Sequence, residues 1–171
     1  MSWSLPIAAV MAALVGWSGL GQAQAQTPGQ QYKDWRYECR EQPASGSTPA
    51  GRICLIQHEV RNGKNLLLAA RVRIMGAQKQ VALLFFLPPT LGAKAPIGFA
   101  IDQGAMATTE VRQCSAQFCW AAVPVGDNLL AAMKAGGALT VVVKPGAGES
   151  RLVVSLAGFT GAFTALQATA Q

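Results

Sequence analysis

Asp34-Trp35-Arg36-Tyr37-Glu38-Cys39-Arg40 alternates without a fault: Trp35, Tyr37 and Cys39 fall on one face, and Asp34, Arg36, Glu38 and Arg40 on the other. Successive side chains of an extended chain point to opposite sides, so this stretch predicts a strand with one face buried and one in water. After the polar turn segment Pro43 to Gly51 comes a second run, Arg52 to Arg61, rich in Ile and Val. Counting by twos from Cys54 puts Ile56, His58 and Val60 on one face. Two cysteine-bearing faces can then meet across a sandwich or a pair of strands. Asn62-Gly63 is a turn signal.

Leu66 to Ile74 and Val81 to Leu87 follow, separated by Met75-Gly76-Ala77-Gln78, and predict another hairpin. Arg71 and Arg73 share one face of the first run, Val72 and Ile74 the other. The second run is apolar on both faces, which suits a central strand, although a buried helix has the same composition. Pro88-Pro89 ends it, because proline has no N–H to give a ladder. Shorter strands are predicted over Ile97 to Asp102, Thr109 to Gln113 and Trp120 to Val123. Leu139 to Lys144 and Arg151 to Ala157 flank the turn Pro145-Gly146-Ala147-Gly148. One helix is signalled, with Asp127 as its cap, Leu129, Leu130 and Met133 as its apolar face, Lys134 near its negative end and Gly136-Gly137 as its stop. Gly158 to Leu166 reads as a short helix or irregular packing, and residues 167–171 as a frayed tail. The whole predicts a mainly β chain, a single antiparallel β-sandwich with one or two short helices over residues 33–166.

The chain has 171 residues, a net charge of +6, 51% hydrophobic residues and 13% charged ones, a balance that excludes wholesale disorder. Residues 1–25 read as a secretory signal peptide, with an apolar stretch from Ile7 to Leu20 and the small-residue site Ala23-Gln24-Ala25. Cleavage is expected after Ala25, leaving residues 26–32 as a short lead. The apolar stretch falls short of the roughly 20 residues a spanning helix needs, so the mature chain is expected to have no transmembrane span. The expected location is periplasmic or cell-envelope associated, or secreted. Such compartments favour disulfides. Cys39, Cys54, Cys114 and Cys119 allow three pairings, of which Cys39 with Cys54 and Cys114 with Cys119 fasten local loops.

No residue set announces a reaction. His58 is the single histidine, so a multi-histidine metal site is out of reach, and its apolar strand face suits a locally hydrogen-bonded histidine. Ser115 and Ser155 lack a nucleophile elbow. The spacing of Cys114 and Cys119 does not match a thioredoxin-like pair, and the carboxylates are scattered. No catalytic, cofactor-binding or metal-binding residue is expected. Lys and Arg are dispersed and no nucleic-acid motif is present, so nucleic acid is not an expected partner. A cationic exterior suits anionic envelope polymers or membrane surfaces, with salt weakening the contact. Trp35 and Tyr37 near Cys39, and Phe118 and Trp120 around Cys119, read as core and disulfide packing.

The ordered signatures resemble the invasion-associated locus B family of bacterial exported proteins. Asp34-Trp35 with Cys39 is similar to its opening Asp-Trp-x-x-x-Cys, and Cys54-Leu55-Ile56-Gln57 to its second cysteine strand. Leu87-Pro88 through Ile101-Asp102 is similar to its proline-bearing strand and following Ile-Asp. Cys114 and Cys119 with Trp120-Ala121, Lys134-Ala135-Gly136 and Gly158-Phe159 are similar to its later motifs. The resemblance covers residues 33–166 and implies an exported, immunoglobulin-like sandwich associated with host-cell invasion in some pathogens. It supplies no catalytic residue. The function expected is therefore a noncatalytic periplasmic or envelope-associated interaction protein whose partner is an envelope or host-surface protein or an anionic envelope polymer. The alternative is an envelope enzyme or thiol-handling factor with a site assembled by folding.

Overall fold

The structure, a computed structural model, describes residues 29–46, 50–146 and 148–170. The predicted signal peptide and its cleavage site lie outside the described residues. Strands β1 (Gln31–Tyr32), β2 (Trp35–Gln42), β3 (Gly51–Asn62), β4 (Asn65–Met75) and β5 (Gln80–Leu87) come first. After a short 3-10 turn over Pro89–Leu91 come β6 (Pro96–Ile101), β7 (Ala107–Glu110), β8 (Gln113–Cys114) and β9 (Cys119–Pro124). Helix α1 (Asp127–Ala135), strands β10 (Ala138–Val143) and β11 (Ser150–Ser155), and helix α2 (Phe159–Thr169) complete the order. All strand pairs are antiparallel, in a seven-stranded sheet ordered β1-β2-β3-β4-β5-β9-β8 and a four-stranded sheet ordered β11-β10-β6-β7. The chain is mainly β, and the two sheets make a sandwich.

The alternation in β2 decides which face of the large sheet turns inward. Trp35 and Tyr37 are fully buried, and the register sets Tyr37 opposite Ile56, Ile56 opposite Val72, and Val72 opposite Leu83. This row continues to Val123 on β9. Facing it, Ile97, Phe99, Leu139 and Val141 of the small sheet belong to the same apolar cluster, and Phe85 meets Phe99 at a ring-centroid distance of 6.0 Å. Trp35 joins the layers directly, its indole N–H donating to the Ser155 carbonyl at 2.8 Å. Residues 31 and 32, part of the expected lead, pair with β2 and are already part of the sheet.

One of the three crossings between the sheets is very short. From β7 on the edge of the small sheet it runs through Val111 and Arg112 into β8 on the edge of the large one. The Val111 N–H donates to the Ala95 carbonyl at 2.9 Å and the Arg112 N–H to the Trp120 carbonyl at 2.8 Å. Val111 is only 1% exposed and fills the seam. The run predicted over Thr109 to Gln113 as one strand is therefore divided at this crossing.

Helix α1 differs from expectation at its start: Gly126 is the N-cap, and Asp127 is the first helical residue, with no side-chain cap bond. Its carboxylate complements the positive helix end instead. Helix α2 extends through Thr169, so residues 167–169, expected to fray, are helical. Its buried face explains the extension. Phe159, Ala162, Phe163, Ala165 and Leu166 pack onto the part of the large sheet that the small sheet leaves open, and Phe159 meets Trp35 edge-on at 5.1 Å.

Gly158 makes the turn into α2 with φ +88, where a Cβ would overlap the Tyr32 carbonyl oxygen. The left-handed conformation alone costs a residue with a Cβ about 1–2 kcal/mol, and the backbone overlap adds to it. Gly158→Ala is expected to destabilise the fold by about 2 kcal/mol or more, read from urea unfolding. An unchanged midpoint would show that β1 moves aside freely.

Candidate functional site

The outer face of the large sheet is uneven along its β4-β5-β9-β8 half. The register lays Arg71 beside Leu84 and Leu84 beside Ala122, with Arg73-Ala82-Pro124 as the next row and Phe86-Trp120-Gln113 as the previous one. Ala82 and Ala122 are small, while Phe86, Trp120, Arg73 and Met75 stand around them. The result is an open trough of about 910 Å³. That volume lies in the range of small-molecule sites. One end is closed by Phe118, which meets Phe86 edge-on at 5.3 Å and separates the trough from a smaller recess of about 200 Å³.

The rim is cationic. Among the described residues, five ion pairs engage Arg36, Arg40, Arg52, Arg61 and Arg151. The other three arginines, Arg71, Arg73 and Arg112, are in none of them. Arg71 donates from Nε to Gln57 at 3.0 Å, and Gln57 in turn donates to Glu38 at 3.2 Å. Its guanidinium lies 4.5 Å from the Phe86 ring centroid, a cation–π contact. Burial lowers the Arg71 pKa from the ordinary arginine value, with Arg40 adding to the effect and Glu38 and Glu59 opposing it. Arg73 and Arg112 line the trough itself. The Nε of Arg73 is buried without a hydrogen-bond acceptor, a state that costs on the order of 1–3 kcal/mol.

A disulfide holds the aromatic end. Cys114 is bonded to Cys119, the two lying opposite each other in the β8–β9 register. Between them the Ser115 N–H donates to the Phe118 carbonyl at 2.8 Å, and Ser115 Oγ accepts from the N–H groups of Gln117 and Phe118 at 3.2 Å each. The cross-link and the turn thus fix Phe118 against Phe86. Cys39 and Cys54 form the other disulfide, on the inner face between β2 and β3. Tyr37 caps it, its hydroxyl lying 2.8 Å from Cys39 Sγ and 3.4 Å from Cys54 Sγ. A disulfide has no S–H, so the hydroxyl is the donor. None of the four cysteines is free.

The remaining residues weighed from sequence do not converge. His58 Nδ1 lies 2.7 Å from the Asp34 carbonyl, which can only accept, so Nδ1 carries a proton. Ser155 Oγ accepts from the Ala157 N–H at 3.2 Å, a local backbone bond. Among the described residues no three of His, Cys, Asp and Glu group as metal ligands. A second recess, of about 440 Å³ beside α1, contains Asp102, whose carboxylate is spent on the N–H groups of Gly137 and Ala138. Phe118 and Trp120 correct the expectation of core packing: Phe118 is 38% exposed and both line the trough on the outer face.

The model of the invasion associated locus B (IalB) protein family matches residues 35–167. The chain belongs to the IalB family. The match takes in both disulfides, the trough and most of α2. Among solved structures, the IalB fold seen here is similar to the crystal structure of invasion associated protein B from Bartonella henselae, at a TM-score of 0.67 and 24% sequence identity. The likeness covers 82% of this chain and 95% of that one. A comparison with curated protein sequences finds no match. No helix among the described residues is long and apolar enough to cross a membrane.

Proposed function

We propose that this IalB-family chain is an exported, noncatalytic protein of the periplasm or cell envelope that binds a partner through the outer face of its seven-stranded sheet. The observation that carries this reading is the trough: a concave apolar surface with a cationic rim, held in shape by a disulfide. Two disulfides and the signal-like opening support export. In a pathogen the same interaction would serve host-cell invasion, the association carried by the family name.

Three measurements test the reading. Intact mass of the chain recovered from the envelope is expected to correspond to a start at Gln26, and a chain retaining Met1 would reject cleavage. A122W, which fills the trough floor, is expected to lose the envelope crosslinks that the unaltered protein forms. Crosslinks that persist unchanged would reject the trough as the binding face. Rapid thiol labelling of any cysteine without prior reduction would favour the thiol-handling alternative.

A further inference from the structure

We propose that the trough holds one long-chain anionic amphiphile, a free acyl carboxylate, with its head on Arg73 and its chain running over Leu84 and Ala122 toward Trp120 and Phe118. This names a ligand class for the binding face proposed above and rests on that reading.

Charge comes first. Arg73 and Arg112 line an apolar surface with no carboxylate paired to either, whereas the five other outer arginines with ion pairs have their counter-charges in the protein. The buried Nε of Arg73 is out of reach of a ligand in the trough, so the head is taken by the terminal nitrogens of its guanidinium. A guanidinium matches a carboxylate bidentately, and one such head balances one arginine. Arg112 sits at the other side of the trough, next to Trp120 in the chain crossing, so it attracts an anion without meeting the same head. From β4 to β8 there are three interstrand spacings, about 14 Å, the reach of an extended chain of about a dozen carbons.

The floor then selects against a peptide. Strands β5 and β9 are hydrogen-bonded to each other across the floor, and β5 is bonded to β4 on its far side. Their backbone groups are therefore engaged within the sheet, and what the floor presents is Ala82, Leu84, Phe86 and Ala122. A peptide laid there would leave its own amides unpaired, whereas an acyl chain has none to satisfy. The concavity selects against a bilayer surface. Phe86 and Trp120 are half-buried walls of a hollow and do not project as a membrane anchor would.

Trp120 reports on the site, and its emission is isolated by comparing the purified protein with W120F. Sodium laurate below its micelle-forming concentration is expected to change the Trp120 emission saturably, while acetate, which has the head without the chain, does not. R73Q is expected to weaken laurate binding about tenfold or more, the loss of one charge-assisted hydrogen-bonded pair, and to leave binding of uncharged 1-dodecanol within about twofold. R112Q is expected to do less than R73Q. A122F, which fills the floor without adding an indole, should abolish the response to both, and R73Q carries the test even if A122F does not fold.

Equal affinity for laurate and 1-dodecanol, or R73Q without effect, would overturn the proposal. So would a response to phosphatidylglycerol vesicles, or to an acidic peptide, with none to laurate. If laurate fails while A122W still strips the envelope crosslinks, the ligand class falls and the trough stands as the binding face. If A122W leaves those crosslinks intact, the binding face falls too.

Discussion

Replacing Cys39 and Cys54 together by alanine is expected to lower the unfolding free energy by about 2–5 kcal/mol, the range for native disulfides in small secreted domains. The bridge closes a loop with a sequence separation of 15, for which chain entropy alone contributes about 3 kcal/mol. A second loss accompanies it. Tyr37 is fully buried and its hydroxyl has the two sulfurs as its partners, so the double substitution strands a buried donor. The Cys114–Cys119 bridge closes a separation of only 5, and its removal is expected to cost less, about 2 kcal/mol. Urea unfolding of the two double variants checks the order. Equal losses would mean that loop length and the Tyr37 contact do not set it.

Trp35→Ala is expected to be similarly severe, at about 3–5 kcal/mol. The indole is fully buried where three layers meet: it lies on β2, packs edge-on against Phe159 of α2, and donates to the Ser155 carbonyl at the end of β11. Truncation therefore leaves a cavity and an unpaired carbonyl in one place. Trp35→Phe separates the two terms. It keeps most of the ring and loses the donor, and should cost about 1–3 kcal/mol. Thermal and urea unfolding read both variants, and a phenylalanine variant as unstable as the alanine one would assign the whole effect to the hydrogen bond.

The large sheet was legible because its first strand is strictly amphipathic. Parity from Trp35 carries through Tyr37 and Cys39 to Cys54 and Ile56, and the register bears this out residue by residue. The cysteines pair as closeness in sequence suggests because each pair lies directly opposite across adjacent strands. Helix α2 was less legible: its composition of Ala, Gly, Thr and Phe gives a weak helical signal, and its length is set by packing on Trp35 and its neighbours.

The trough was hidden for a different reason. Periodicity separates two faces without saying which one is covered. In Val81–Leu87 both are apolar, and only the register shows that Leu83 and Phe85 turn inward while Leu84 and Phe86 turn out. A signal was nonetheless present at Cys119. It is fully buried, so counting by twos from it sends Ala121 and Val123 inward and leaves Trp120 and Ala122 outside. The unpaired state of Arg73 and Arg112 depends on where every carboxylate lands, which no local pattern encodes.

The strand order has a consequence for self-association. The large sheet ends on both sides in strands of two residues, β1 and β8, which offer an incoming chain little template of their own. Beyond β8 the Ala122 carbonyl on β9 is met by the Thr109 hydroxyl at 3.4 Å, which shelters the rest of that margin. On the small sheet, β11 is the longer margin, and at its end and just past it the Ser155 and Ala157 carbonyls are taken by the Trp35 indole and the Asp34 N–H. Among the edge stretches that remain are β2 beyond its pairing with β1 and the stretch from Ser150 to Val154, the latter carrying the charged Arg151 beside the exposed Val153. The Ser150 to Val154 segment is one point of entry for cross-β aggregation of the folded protein, and a second charge at Val153 would close it.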